Sequence, residues 1–337
     1  MADSKKRRTI KDVAKKAGVA VSTVSLALNN KKNVSEKTRT RVLEAAEELG
    51  FVMNASAQSL KLSRSRIIGI ILPEINNIYY TDLVTAVNKY VEKHSCSLSI
   101  CITNDIMEKE EKCIEELVSR NVDGIIIVPM LIYNDDPSRF KILEDYKIPY
   151  VLLSAVYKNA SAACVMCDLT AGMYSMTKYL LAQGLKQIAL IVGDRRVDKE
   201  YIAGYKKAFE EKGLDFADCM IFESKFNFDA VVSLTHKILA EKPEAIMTIS
   251  DLMACAVTQA VKEKGLSVPE DISVTGFDDV LYSYINQTPI TTVHQPIDDM
   301  CSRAVEILFD MIYTEEAVFK KSIELFEPYI VCRDSTL

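Results

Sequence analysis

From Ile67 onward the chain alternates short apolar runs with longer amphipathic stretches, and no other feature narrows its fold so far. Runs at 67–72, 98–102, 124–128 and 150–153 are separated by helical periodicity at 80–93, 109–119 and 138–145. The cycle reads as restarting at Cys164, with strands expected at 188–192, 220–222, 245–249 and 272–276. Helices are expected between them at 171–182, 200–211, 228–240 and 252–264. Strands buried on both faces read as continuous apolar runs, and parallel neighbours need a helical crossover between them. Two such series imply two α/β lobes with mostly parallel sheets. Ligands of such sheets bind beyond the C-terminal strand ends, so two facing lobes imply a cleft.

Charge separates this body from what precedes it. Residues 1–66 carry 15 Lys+Arg and 6 Asp+Glu, a net of +9; the remainder carries 26 against 41, a net of −15. A small basic head on an acidic body suits a polyanion bound by the head alone. The head reads as three short helices. The first spans about 10–16, with Thr9 as cap and Asp12 in the first turn, and Gly18 makes the corner. The second spans about 21–28, with Val24 and Leu28 inward and Ser22 and Thr23 on the exposed side. A third, 35–50, is capped by Ser35 and stopped by Gly50, with Val42, Leu43, Ala46 and Leu49 as its apolar stripe. Such a trio looks like a helix-turn-helix DNA reader, its second helix offered to a major groove.

The spacing of Thr9, Asp12, Val13, Ala14, Ala17, Gly18, Val19, Thr23, Val24, Ser25, Leu28 and Asn29 resembles the LacI/GalR family of bacterial transcription regulators. The likeness continues through Val34, Ser35, Thr38, Arg39 and Val42, the segment 120–126, the run PEDISVTGFDD at 269–279 and PITTV at 289–293. Ala20 stands where the family usually has a serine cap. The resemblance implies a basic disordered arm (1–8), a DNA-binding domain (9–52), and a hinge helix with linker (53–66). It implies a periplasmic-binding-protein-like body crossed three times: an N-terminal lobe of 67–160 with 292–320, and a C-terminal lobe of 161–291 with 321–337.

It also assigns roles. Val21, Ser22 and Leu26 fall at base-reading positions; Thr9, Thr23, Ser25 and Asn29 are further DNA contacts. In the hinge, Asn54 is a cap, Ala57 keeps the contact face thin, and Leu60 matches a leucine that wedges into the minor groove from each half of a homodimer. The implied partner is a pseudo-palindromic double-stranded operator. Effector positions fall on Tyr79, Tyr80, Ser154, Asp168, Tyr201, Ser250 and Asp278. Ser154, Tyr201 and Ser250 replace an aspartate, an arginine and an asparagine of sugar-binding members. The implied effector is therefore a small molecule, sugar-like or less polar. Control by a partner protein, or a small-molecule module that binds no DNA, are the alternatives. The expected function is a DNA-binding regulator that represses by occlusion and responds through lobe closure.

Other classes are disfavoured. There is no apolar run long enough for a membrane span and no secretory signal before the basic start, so a cytoplasmic protein is expected. The nine cysteines lie mostly in apolar segments and read as buried thiols, including the CxxC of Cys164 and Cys167. His94, His236 and His294 share no partner spacing, and Gly193 is the one glycine of its loop. No enzyme, metal or cofactor is expected.

Overall fold

The computed structural model describes residues 8–29, 33–51, 64–130, 137–157, 160–193, 197–214, 219–314 and 321–337. The arm and the expected hinge helix, with Asn54, Ala57 and Leu60, lie outside the described residues, apart from Arg8 and 64–66. The chain divides into two compact units, Met1–Ser65 and Arg66–Leu337.

The head contains α1 (Ile10–Ala17), α2 (Val21–Leu28) and α3 (Glu36–Glu48). Thr9 starts α1 as expected: its backbone N–H and hydroxyl both donate to the Asp12 carboxylate, at 2.8 and 2.9 Å. Gly18 closes α1 at φ +64°, with nothing near a would-be Cβ, so the requirement there is conformational and not steric. Ser35 accepts from the Thr38 N–H at 3.3 Å. Val13, Ala17, Val24, Ala27, Val42, Ala45 and Ala46 fill the core, and the small alanines let the three helices approach closely. Leu43 is a correction: it is 47% exposed, because one residue past Val42 is about 100° around the helix, off the stripe that Ala45 and Ala46 continue. Arg39 donates to the Ala27 carbonyl at 3.2 Å and ties α3 to the end of α2.

Ala20 precedes α2 in extended conformation and offers no side-chain cap. Ala20→Ser is therefore expected to stabilise the head by about 1 kcal/mol. Slower amide hydrogen exchange in α2 of the full chain checks this; unchanged exchange would show that the N-terminal amides are already satisfied.

The body has two six-stranded sheets. The first contains β1 (Ile67–Leu72), β2 (Ser97–Ile102), β3 (Gly124–Ile127), β4 (Tyr150–Leu153), β5 (Ala163–Cys167) and β11 (Ser322–Phe326), in the order β11-β5-β4-β3-β1-β2, all parallel. The second contains β6 (Ile188–Val192), β7 (Met220–Glu223), β8 (Ala245–Thr248), β9 (Ser273–Asp278), β10 (Thr291–His294) and β12 (Tyr329–Val331), in the order β12-β10-β9-β8-β6-β7. Only β12 runs antiparallel to its neighbour. Helices α4 (Ile78–Lys93), α5 (Met107–Ser119), α6 (Lys141–Asp145) and α12 (Ile297–Tyr313) accompany the first sheet. The second has α7 (Leu169–Ala182), α8 (Asp198–Glu211), α9 (Phe228–Ile238), α10 (Asp251–Glu263) and α11 (Leu281–Ile285).

The lobe boundaries differ from the expectation. β5 does not open the second lobe: it pairs with β4, Val151 opposite Ala163 and Leu153 opposite Val165. β11 also belongs to the first sheet and β10 to the second. The chain thus crosses between Cys167 and Leu169, between His294 and Ile297, and between Phe326 and Tyr329. An apolar run reports burial, but its pairing partner is set by register, which burial does not encode.

Both sheets reverse strand order beside their first strand: between β1 and β3, and between β6 and β8. The segments leaving the C-terminal ends there diverge and leave a crevice. That places the ends of β1, β4, β6, β8, β9 and β10 around one space.

Candidate functional site

A cavity at the C-terminal strand ends of the body is lined by Asn77, Tyr79 and Tyr80 after β1, Ser154 after β4, and Leu169 at the start of α7. Val197, Asp198 and Tyr201 enter from α8, Phe226 from the segment before α9, Ile249 after β8, Asp278 from β9 and Gln295 after β10. Five of the seven expected effector positions meet here: Tyr79, Tyr80, Ser154, Tyr201 and Asp278.

The other two are occupied in starting helices. Asp168 accepts from the Ala171 N–H at 2.8 Å, and Ser250 from the Met253 N–H at 3.3 Å. Neither lines this cavity. Asn77, Asp198, Phe226, Ile249 and Gln295 were not singled out by the sequence reading. Asp198 had a usable signal, an acid shortly after a strand end. Gln295 had none beyond following the crossover strand.

One hydrogen-bonded chain crosses the cavity. The Tyr79 hydroxyl meets Ser154 Oγ at 2.7 Å and donates to Gln295 Oε1 at 3.4 Å; Gln295 Nε2 donates to Asp278 Oδ1 at 2.7 Å. Burial pushes the Tyr79 and Tyr201 phenols well above their ordinary values, so both stay neutral. Tyr201 packs edge-on against Phe277 with centroids 5.0 Å apart, and Tyr79 edge-on against Tyr80 at 5.5 Å. The rings are thereby fixed by neighbours. Ser154 and Asp278 take φ of +73° and +107°, and Asp279 takes +60°. Left-handed backbone at non-glycine residues costs of order 1–3 kcal/mol each and persists where the surroundings over-determine it.

Those surroundings are visible behind Asp278. Asp251, fully buried, accepts from the Val280 N–H at 2.8 Å and from the Thr292 hydroxyl at 2.5 Å. Burial pushes its carboxyl up to about 7 against these two hydrogen bonds. Asp279 pairs with His294 Nδ1 at 2.8 Å and with the Arg333 guanidinium at 2.5 Å. Burial opposes its charge, but His294 and Arg333 outweigh it and hold the carboxyl below its usual value. The turn after Asp278 is thus held at both Asp279 and Val280.

In the head, Val21 and Ser22 are exposed at the start of α2, while Thr23, Ser25, Leu26 and Asn29 are half-buried. Leu26 packs against the head core, and Asn29 Nδ2 donates to the Ser25 carbonyl at 2.7 Å. Thr9 is exposed at the start of α1. Among the described residues no helix is long and apolar enough to cross a membrane.

Comparison with known proteins places both units. Residues 9–54 match the family described as bacterial regulatory proteins, lacI family, and residues 177–336 match the periplasmic binding protein-like domain. The chain is 33% identical over 326 residues to the HTH-type transcriptional repressor PurR of Vibrio atlanticus (strain LGP32), covering 95% of this chain and 97% of that protein. It is 32% identical over 297 residues to the HTH-type transcriptional regulator DegA of Bacillus subtilis (strain 168), covering 87% and 88%. The lac repressor dimer bound to operator and the anti-inducer ONPF superposes with a TM-score of 0.85 at 26% identity, covering 98% of this chain and all of that one (100%). The transcriptional regulator CelR–cellobiose complex superposes with a TM-score of 0.72 at 26% identity, again covering 98% and 100%.

Proposed function

Since the chain belongs to the LacI family of bacterial regulatory proteins, and is a sequence-specific DNA-binding transcriptional regulator of that type, we propose that it is a repressor released or tightened by a neutral, hydroxyl-bearing small molecule held in the body cavity. It acts as a homodimer on an operator, as the lac repressor dimer does, and an effector modulates it. It is a binding protein, not an enzyme.

The observation that carries the effector class is the cavity's charge. Asp198 and Asp278 line it, and no Lys or Arg does among the described residues. Carboxylates accept hydrogen bonds and repel anions, so the favoured ligand donates. Tyr79, Tyr80, Tyr201 and Phe226 supply ring surface for the apolar face of such a molecule. The lac repressor and CelR structures hold ONPF and cellobiose, which fits this class.

The mechanism is linkage. The cavity holds only about 50 Å³, far below the roughly 300–1,000 Å³ of ordinary ligand pockets, so the lobes part to admit an effector. The ligand would replace the Gln295 amide on Asp278. Two body states with different affinity for the effector then differ in DNA affinity by a coupling of about 1–3 kcal/mol. The base-reading roles of Val21, Ser22 and Leu26 belong to the same proposal, as do the phosphate-side roles of Thr9, Thr23, Ser25 and Asn29. So do the hinge roles of Asn54, Ala57 and Leu60.

Selection of an operator from random duplexes, followed by titration with neutral sugars and polyols, tests the reading. Asp278→Asn keeps the shape and removes the charge-assisted bond, which is worth about 1.5–3 kcal/mol. The effector concentration that shifts DNA binding should rise about tenfold to 150-fold, with operator affinity in its absence unchanged. A response confined to anionic ligands, or one indifferent to Asp278, would refute the proposed effector class.

A further inference from the structure

A second cavity of about 150 Å³ abuts the first. Leu169 and Val197 line both. Beyond them the second cavity is walled by Ala155, Val156, Met166 and Cys167, and reaches the exposed Leu325. Its polar lining is Asp168, Thr170, Lys199 and Glu200, of which Lys199 is exposed and the first two are engaged. Asp168 holds the Ala171 N–H, and the Thr170 hydroxyl donates to the Glu200 carbonyl at 3.1 Å. Burial pushes the Cys167 thiol up to about 12, so it stays neutral. What remains facing the space is mostly hydrocarbon and sulfur. An apolar cavity of about 150 Å³ accepts one benzene ring.

The two cavities differ in chemistry and share a boundary. The inner one presents Asp198, Asp278, Ser154 and Gln295; the outer one presents a mostly apolar wall beside Lys199 and Glu200. We infer that the effector has two parts: a hydroxyl-bearing head in the inner cavity, and a ring-sized apolar substituent passing between Leu169 and Val197 into the outer one. This rests on the effector reading above and narrows it. A head alone would leave the outer wall wet. The substituent gains affinity in proportion to the apolar area it removes from water.

The test uses paired methyl and phenyl glycosides of the same sugars, with the full chain labelled at methionine methyls and the Met166 resonance assigned from Met166→Leu. For a sugar that alters operator binding, the phenyl glycoside should bind at least about tenfold tighter than the methyl one. It should also shift the Met166 methyl in a saturable way. Val156→Phe fills the outer cavity and should erase the difference while the methyl glycoside binds as before. Should that variant misfold, intermolecular NOEs from the phenyl protons to the Met166 and Leu169 methyls in the unmodified protein decide the same point. Equal affinities for the pair, or a phenyl advantage with Met166 unmoved, would overturn the inference and leave the effector reading standing. No response to either member of any pair would overturn both.

Discussion

Arg139→Leu is expected to destabilise the body by about 3–5 kcal/mol, the usual cost of stranding one partner of a buried ion pair. Arg139 donates to Glu110 Oε2 at 2.7 Å, with the two side chains 2% and 0% exposed. The Tyr157 hydroxyl donates to the same carboxylate at 3.2 Å and accepts from the Met130 N–H at 3.1 Å. Burial raises the Glu110 carboxyl even with Arg139 and Tyr157 holding it down. Without Arg139 it would rise further, so the deficit should be largest near neutral pH and shrink in acid as Glu110 takes up a proton. Glu110→Leu added to Arg139→Leu should recover most of the loss, since a packed apolar pair replaces a buried ionic one at little cost. Urea unfolding of the single and double variants across pH measures all three. A single variant as stable as the parent would mean that water reaches Glu110.

Gly204→Ala is expected to cost about 2–3 kcal/mol and to blunt the effector response. A Cβ at this position would lie 2.2 Å from the Thr170 carbonyl oxygen and 2.8 Å from the Tyr174 nitrogen, both backbone of α7. A flexible side-chain tip can swing aside, but helical backbone cannot, so α7 and α8 must separate. Alanine's better helix propensity returns at most about 1 kcal/mol, and the overpacking term of about 1–3 kcal/mol sits at its upper end here. The same two helices carry Leu169, Val197, Asp198 and Tyr201 to the cavity. Separation would therefore move two of its walls as well as weaken the lobe. The thermal midpoint and the effector titration together check it. An alanine variant of parental stability would show that the helices already have slack.

Much of this was legible residue by residue. Thr9 with Asp12, Gly18 and Ser35 act locally, within one helical turn, so their roles can be read from neighbours in sequence. Strands such as IIGIIL at 67–72 announce themselves because both of their faces are buried. Tyr79, Tyr80, Ser154, Tyr201 and Asp278 were selected by resemblance, and all five line the cavity. Ser250 and Asp168 were selected on the same grounds, but local capping holds their oxygens. Gln295 is not legible, because nothing around it in sequence marks a glutamine that reaches Asp278 from a crossing segment.

By itself the sequence determined the basic three-helix head, the alternating strands and helices of an acidic body, and most of the strand-end residues that face the cleft. These follow from short-range rules of capping, periodicity and charge. Only the tertiary structure decided that β5 and β11 complete the first sheet and that β10 serves the second. It also decided that Asp251, Asp279 and Arg333 clamp the turn bearing Asp278, and that a second apolar space opens beyond Leu169 and Val197. Each depends on contacts between residues far apart in the chain, whose pairing is fixed by register and packing, not by local pattern.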